Sequence, residues 1–285
     1  MFFVFILMPM LSVLKVILQG KYSKKNINSF SDVLLYNTLA FFFSALVLAI
    51  IFLRHLPPVE VLLFAIASAT TSVLFQTFYT LALRSGPIAV TSILTSFSIV
   101  FTLIAGAIFF NEQWSIFTIV GLVFMAFAFY LMPAKKDDKK FNLKWLIFVI
   151  ITTLFSGLYG VVMLFFSKSN LTEFQGEYVV LTFTLASIIC LVLTLFNKKR
   201  KPITIKFNLT LLIITLTIGV ALGLYNLLNV VAFKHYESYI VSPILNGTII
   251  FLSMVVNSII DKEKPTTSMI VGVIFAIIAI VLLSL

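Results

Sequence analysis

Two short pairs carry the most informative chemistry in this sequence: Phe75-Gln76 and Tyr225-Asn226, each an aromatic residue followed by an amide in the middle of an apolar run. In hydrocarbon a polar side chain is costly unless it faces another helix or a wet cavity, so residues of this kind map an interior surface. Tyr79 follows Gln76 by three positions and Asn229 follows Asn226 by three, so each amide shares a helix face with a second hydrogen-bonding group. Such groups can hold a small polar ligand, or they can join helices to one another; for any one of them both readings stand. Lys15 is the only basic residue well inside an apolar run, with Ser12 and Gln19 on its face. It could meet a substrate carboxylate or reach out to the interface. As a site, Gln76, Tyr79, Asn226 and Asn229 are expected to hydrogen-bond a substrate, Phe75 and Tyr225 to wall it, and Lys15 to take its carboxylate. Ser92, Ser242 and Asn246 would complete the lining, and Tyr159, on one face with Thr152 and Ser156, would contribute from a further helix.

The absences narrow the chemistry. All ten carboxylates fall at helix ends or in loops, so no midplane acid is available to carry a coupling proton. Nucleophilic or metal catalysis needs clustered groups within hydrogen-bond reach, and the sequence holds no G-x-S-x-G, no H-E-x-x-H, no buried Asp pair and no glycine loop for phosphates. No catalytic residue, metal or cofactor is therefore expected. Cys190 is the only cysteine, and it lies within an apolar run.

The elements that must position these residues are membrane helices. Hydrophobic residues make up 61% of the chain and charged residues 11%, with 31 Phe and a mean hydropathy of +1.16, whereas a soluble domain is typically about 45–50% apolar. A hydrocarbon core needs roughly 20 apolar residues in helix. Ten such runs are present, at about 2–20, 31–53, 58–82, 86–110, 115–132, 143–167, 174–196, 208–233, 238–260 and 267–285. The net charge of +10 does not indicate nucleic acid, because the Lys and Arg residues sit in short loops between these runs. The first run lacks a basic leader and a small-x-small cleavage site, so it is expected to be a retained helix.

The chain repeats itself. A shift of 150 positions brings Phe75-Gln76 onto Tyr225-Asn226, Ala82-Leu83-Arg84 onto Ala232-Phe233-Lys234, Ser92 onto Ser242, Phe101 onto Phe251 and Asn111 onto Asp261. One inserted residue then aligns Glu112 with Glu263 and Gly121 with Gly272. The expected architecture is an all-α integral membrane protein of ten transmembrane helices, with a first five-helix repeat over 1–132, a charged linker over 133–142 and a second repeat over 143–285. Because five is odd, the second repeat enters the membrane from the opposite side. Inverted repeats of this kind bind substrate near the midplane where the copies meet. Ser242-Pro243 adds to this, since a proline within a membrane helix frees a carbonyl, and opened helices bind ligands in transporters. Gly219 and Gly223 point to close helix packing, the hydroxyl stripe Thr91, Thr95, Ser98 and Thr102 to packing between helices, and Trp114 and Trp145 to interfacial anchoring.

These features resemble the drug/metabolite transporter superfamily, specifically its ten-helix EamA-type carriers. The resemblance rests on Ala82-Leu83-Arg84 before a small-residue turn, Ser98-Ile99-Val100-Phe101-Thr102 leading to Asn111-Glu112, Gly121, Lys15, and Ser156-Gly157-Leu158-Tyr159. The chain has Met8-Pro9 where the family has Trp-Gly, and Phe97-Ser98 where it has a proline after the fourth-helix serine. The resemblance implies a secondary carrier with a central cavity lined by the first, third, fourth, sixth, eighth and ninth helices, moving amino acids, their derivatives or other small polar metabolites, often outward. Expected partners are a small-molecule substrate and the lipid bilayer, with no nucleic acid. The expected location is a bacterial plasma membrane, and monomer and dimer both stay open. Orientation has two answers. One set of loops holds 16 Lys and Arg and the other 3, which puts both termini outside the cytoplasm, whereas the family places both inside. The runner-up reading is a non-transporting membrane scaffold or a lipid-modifying accessory protein.

Overall fold

The computed structural model describes residues 2–52, 56–86, 88–112, 114–131, 143–198, 202–260 and 267–283. The linker at 133–142, His55, and the repeat partners Asp261 and Glu263 lie outside them. The described chain is helical throughout. The first half holds α1 (Phe2–Asn26), α2 (Phe30–Phe52), α3 (Val59–Ser85), α4 (Ile88–Thr95), α5 (Ile99–Phe110) and α6 (Ile116–Leu131). The second half holds α7 (Leu143–Ser167), α8 (Gln175–Lys198), α9 (Leu209–His235), α10 (Ser238–Ile260) and α11 (Thr267–Leu283). Six helical stretches are long and apolar enough to cross a membrane, namely Val4–Asn26, Phe30–Phe52, Val59–Ser85, Leu143–Ser167, Thr172–Asn197 and Leu209–His235. Shorter apolar stretches cover Ser96–Phe110, Ile116–Ala128 and Ile270–Ala279. The protein is a multi-pass integral membrane protein.

The expected fourth helix is not continuous. α4 and α5 are joined by a 3₁₀ turn over Ser96–Ser98, so this span is broken near its middle. Hydroxyls crowd the break: Thr95 Oγ1 donates to the Thr91 carbonyl at 2.8 Å, Ser96 Oγ to Ser92 at 3.0 Å and Thr102 Oγ1 to Ile99 at 2.8 Å. Side chains that bond nearby carbonyls bend a helix or shift it to tighter winding. α10 runs on through Pro243, which has no N–H to return to the Tyr239 carbonyl, so the helix continues with that carbonyl freed from its usual donor.

Packing follows the internal repeat. Counting α4 and α5 as one span, each half has five, and the contacts pair up by exchange of halves. The α3–α7 seam is matched by α1–α9, and α3–α8 by α2–α9, while α2–α8, α6–α11 and α5–α10 are their own counterparts. The second half therefore runs in the opposite sense to the first. Gly219 and Gly223 let α9 approach α2: a Cβ on Gly219 would stand 2.6 Å from the Ala40 carbonyl oxygen, and one on Gly223 2.6 Å from Ser44 Oγ. With lipid outside, close backbone approach of this kind is a main source of helix association.

Candidate functional site

A cavity of about 160 Å³ lies between α1, α3, the broken α4–α5 span, α7, α9 and α10. The structure brings Lys15, Phe75, Tyr79, Ser92, Tyr159, Tyr225, Asn226, Asn229, Ser242 and Asn246 together on its wall. Gln76 is the exception and corrects the sequence reading. Its Nε2 donates to Gln19 Oε1 at 2.9 Å, Gln19 Nε2 donates to Thr80 Oγ1 at 2.8 Å, and Asn37 from α2 joins the same buried group. A step of three residues falls about 60° short of a full helical turn, which is enough to turn Gln76 toward Gln19 of α1 while Tyr79 faces the cavity.

Lys15 does not extend to the interface. It is 8% exposed, and its Nζ lies 5.6 Å from the ring centres of both Phe75 and Tyr79. The Tyr79 hydroxyl is 3.1 Å from Ser92 Oγ, which itself donates to the Ile88 carbonyl. In the other repeat, the Tyr159 hydroxyl donates to Asn226 Oδ1 at 2.9 Å while Asn226 Nδ2 donates to the Leu222 carbonyl at 2.8 Å. Asn226 is thus engaged at both its amide oxygen and its amide nitrogen. Asn229 is different, because its Oδ1 is buried without a partner. Asn246 Nδ2 donates to the Ser242 carbonyl at 2.8 Å.

The hydroxyl stripe assigned to packing belongs in part to the cavity. Thr95, Ser98 and Thr102 line it, as do Ser12, Ser72 and Ser156. Two of these contacts bridge the repeats: Thr102 Oγ1 lies 3.3 Å from Ser242 Oγ, and Ser156 Oγ donates to Ser98 Oγ at 3.2 Å. The helical spacing of the stripe marked a shared face, but its composition fits packing and a wet wall equally well.

Two further contacts lie at the two ends of α7, outside the cavity lining. At one end Trp145, expected as an interfacial anchor, is buried and donates from Nε1 to Thr91 Oγ1 at 2.9 Å. Gly86 lies so close to the indole that any Cβ there would collide with it. At the opposite end α5 stops at Asn111, whose φ of 52° is left-handed and turns the chain back. Glu112 then accepts hydrogen bonds from the Ser238 backbone N–H at 3.0 Å and from Ser238 Oγ at 2.5 Å, at the start of α10. Lys168, just past α7, donates to Glu237 at 3.1 Å and lies 4.0 Å from Glu112. Burial raises the pKa of Glu112, and the neighbouring Glu237 raises it further, against the Ser238 bonds. Burial pushes Glu237 the same way, but its bond with Glu112 and the Lys168 ammonium outweigh that and hold it below its ordinary value.

No curated protein matches this chain. A solved structure described as a crystal structure of a protein superposes with a TM-score of 0.69 over 98% of this chain and 98% of that one, at 12% identity. At that identity the likeness carries the fold alone. The sequence profile of the EamA-like transporter family matches residues 3–133 and again 143–285. With nearly the whole chain matched in two copies, the protein belongs to the EamA-like transporter family.

Proposed function

We propose that this transporter is a secondary carrier that binds a small polar metabolite, an amino acid or a derivative of one, at the interface of its two repeats and exposes it alternately to either side of a bacterial plasma membrane. One observation supports this most directly: a single cavity is lined by both repeats, with Lys15, Phe75 and Tyr79 from the first and Tyr159, Tyr225, Asn226 and Asn229 from the second. A site on the seam between inverted repeats is reached from both sides by rocking one repeat against the other. Lys15 takes a carboxylate, Tyr225 and Phe75 wall the ligand, and Asn229 offers an unfilled acceptor. The cavity is small, which suits a metabolite better than a drug-sized molecule, whose pockets run to roughly 300–1,000 Å³. Among the described residues its wall holds no carboxylate. The carrier therefore works as a facilitator or exchanger, with outward movement the direction the family resemblance favours.

The test is counterflow in proteoliposomes with pooled labelled amino acids and their derivatives, comparing wild type with Asn229→Ala. Uptake that the substitution lowers by tenfold or more, from roughly 1.4 kcal/mol of lost interaction, agrees with a carrier whose site is this cavity. Absence of counterflow from well-folded wild-type protein overturns the reading.

A further inference from the structure

The electrostatics of the cavity are one-sided. Lys15 alone among its described lining side chains carries a formal charge. Among the described residues no carboxylate pairs with it. The faces of Phe75 and Tyr79 soften the isolation of the ammonium but leave the site with a net positive charge. A buried charge without a partner is costly, so the cavity favours a ligand that brings the counter-charge.

A second and independent feature lies on the opposite repeat. Asn226 is already engaged by Tyr159 and by its own helix, whereas Asn229 Oδ1 is buried with no donor. An unfilled amide oxygen calls for an N–H or O–H. A carboxylate ligand has none to offer from its charged end, so the donor must stand elsewhere on the same molecule.

We infer that the species carried is the anion of a carboxylic acid bearing a neutral N–H or O–H donor, such as an N-acylated amino acid, and not a zwitterion. This rests on the carrier reading given above and narrows its substrate class. The ammonium of a free amino acid would share a cavity of about 160 Å³ with Lys15, and the described lining holds no acid to balance it. Like charges confined together disfavour one another. The aromatic faces of Phe75 and Tyr79, which could otherwise take an ammonium, are already turned to Lys15.

Three matched probe sets in proteoliposome counterflow test the inference: a pool of labelled amino acids, the same pool N-acetylated, and the same pool N-acetylated with the carboxyl converted to an amide. The expected result is counterflow of the N-acetylated anions at least about tenfold above both other sets, the scale of one lost charge pairing. Lys15→Met brings the anions down to the level of the neutral amides, and Lys15→Arg keeps the ranking. Free amino acids moving as well as the anions, or a ranking that Lys15→Met leaves unchanged, overturns the inference while the carrier reading stands. Should Lys15→Met not fold, the wild-type ranking and Lys15→Arg still decide. Counterflow in none of the three sets overturns the carrier reading, and this inference with it.

Discussion

Glu112 and Ser238 stand 126 positions apart, in different repeats, yet the Glu112 carboxyl accepts from both the backbone N–H and the hydroxyl of Ser238. The bond ties the end of α5 to the start of α10, the two spans that exchange under the repeat. A carboxylate at a helix N-terminus also meets the positive end of the helix dipole. Ser238→Ala removes the hydroxyl donor and leaves the backbone N–H, while the group stays nearly fully buried. We expect a loss of about 1–3 kcal/mol, read as a lower melting temperature in detergent. An unchanged melting temperature would show that this tie adds nothing to the stability of the fold.

The same cluster makes stability depend on pH in two directions. Glu112 is raised, so its contribution is full below the ordinary glutamate value and is lost as pH rises through its own higher one. Glu237 is lowered, so its contribution is full above the ordinary value and is lost as pH falls through its lower one. Stability in detergent should therefore peak between the two, where the pair shares a proton beside Lys168. Glu112→Gln should flatten the alkaline fall and Glu237→Gln the acid fall. His235 and Lys234, on the same turn, are exposed. A pH profile identical in wild type and Glu112→Gln would rule the cluster out as its source.

Gln76 and Tyr159 should separate structural from ligand-facing polarity. Gln76→Leu breaks the link to Gln19 behind the cavity wall, so it should lower the melting temperature while leaving the apparent KM for transport within about twofold. Tyr159→Phe removes the donor that fills Asn226 Oδ1 and leaves that oxygen unpaired at the cavity, at a cost of about 1–3 kcal/mol. Its effect should appear in KM. Reversed effects, with Gln76→Leu changing KM and Tyr159→Phe only stability, would mean that the ligand sits beside Gln19 of α1 instead.

How much of this was legible in the sequence follows from the range of each interaction. Hydropathy and the 150-position repeat specify helices and their inverted pairing because in a membrane every span must satisfy its backbone internally. The cavity wall was legible for residues whose polarity has no other outlet, such as Lys15 and Asn229. Gln76 was misread because a helical face defined by a three-residue step is broad enough to serve two neighbours. The 3₁₀ turn at Ser96–Ser98 has no glycine or proline to announce it, only hydroxyls whose choice between solvent, neighbour and backbone is made by packing. Trp145 was assigned to the interface from its place at a helix end, but Thr91 and Gly86 together form a slot that buries it. The Glu112–Ser238 tie depends on two distant segments meeting, which no local pattern reveals.

Asp32 offers a stability test remote from the cavity. It sits fully buried in the first turn of α2 and accepts from the backbone N–H groups of Asn28, Ser29, Thr204 and Ile205 and from Thr204 Oγ1, at 2.6–3.0 Å. One carboxylate therefore fastens the α1–α2 turn to the segment entering α9, at the base of the α2–α9 seam that Gly219 closes. Asn has one acceptor oxygen instead of two, and its amide hydrogens would oppose donors on the other side. Asp32→Asn should cost about 2–4 kcal/mol through unpaired buried N–H groups and the lost charge. Asp32→Glu should recover little of it, because the added methylene has no room in a turn this tightly bonded. Melting curves of the two variants beside wild type decide the point: a wild-type-like Asp32→Asn would mean that the Gly219 packing alone sets the α2–α9 contact.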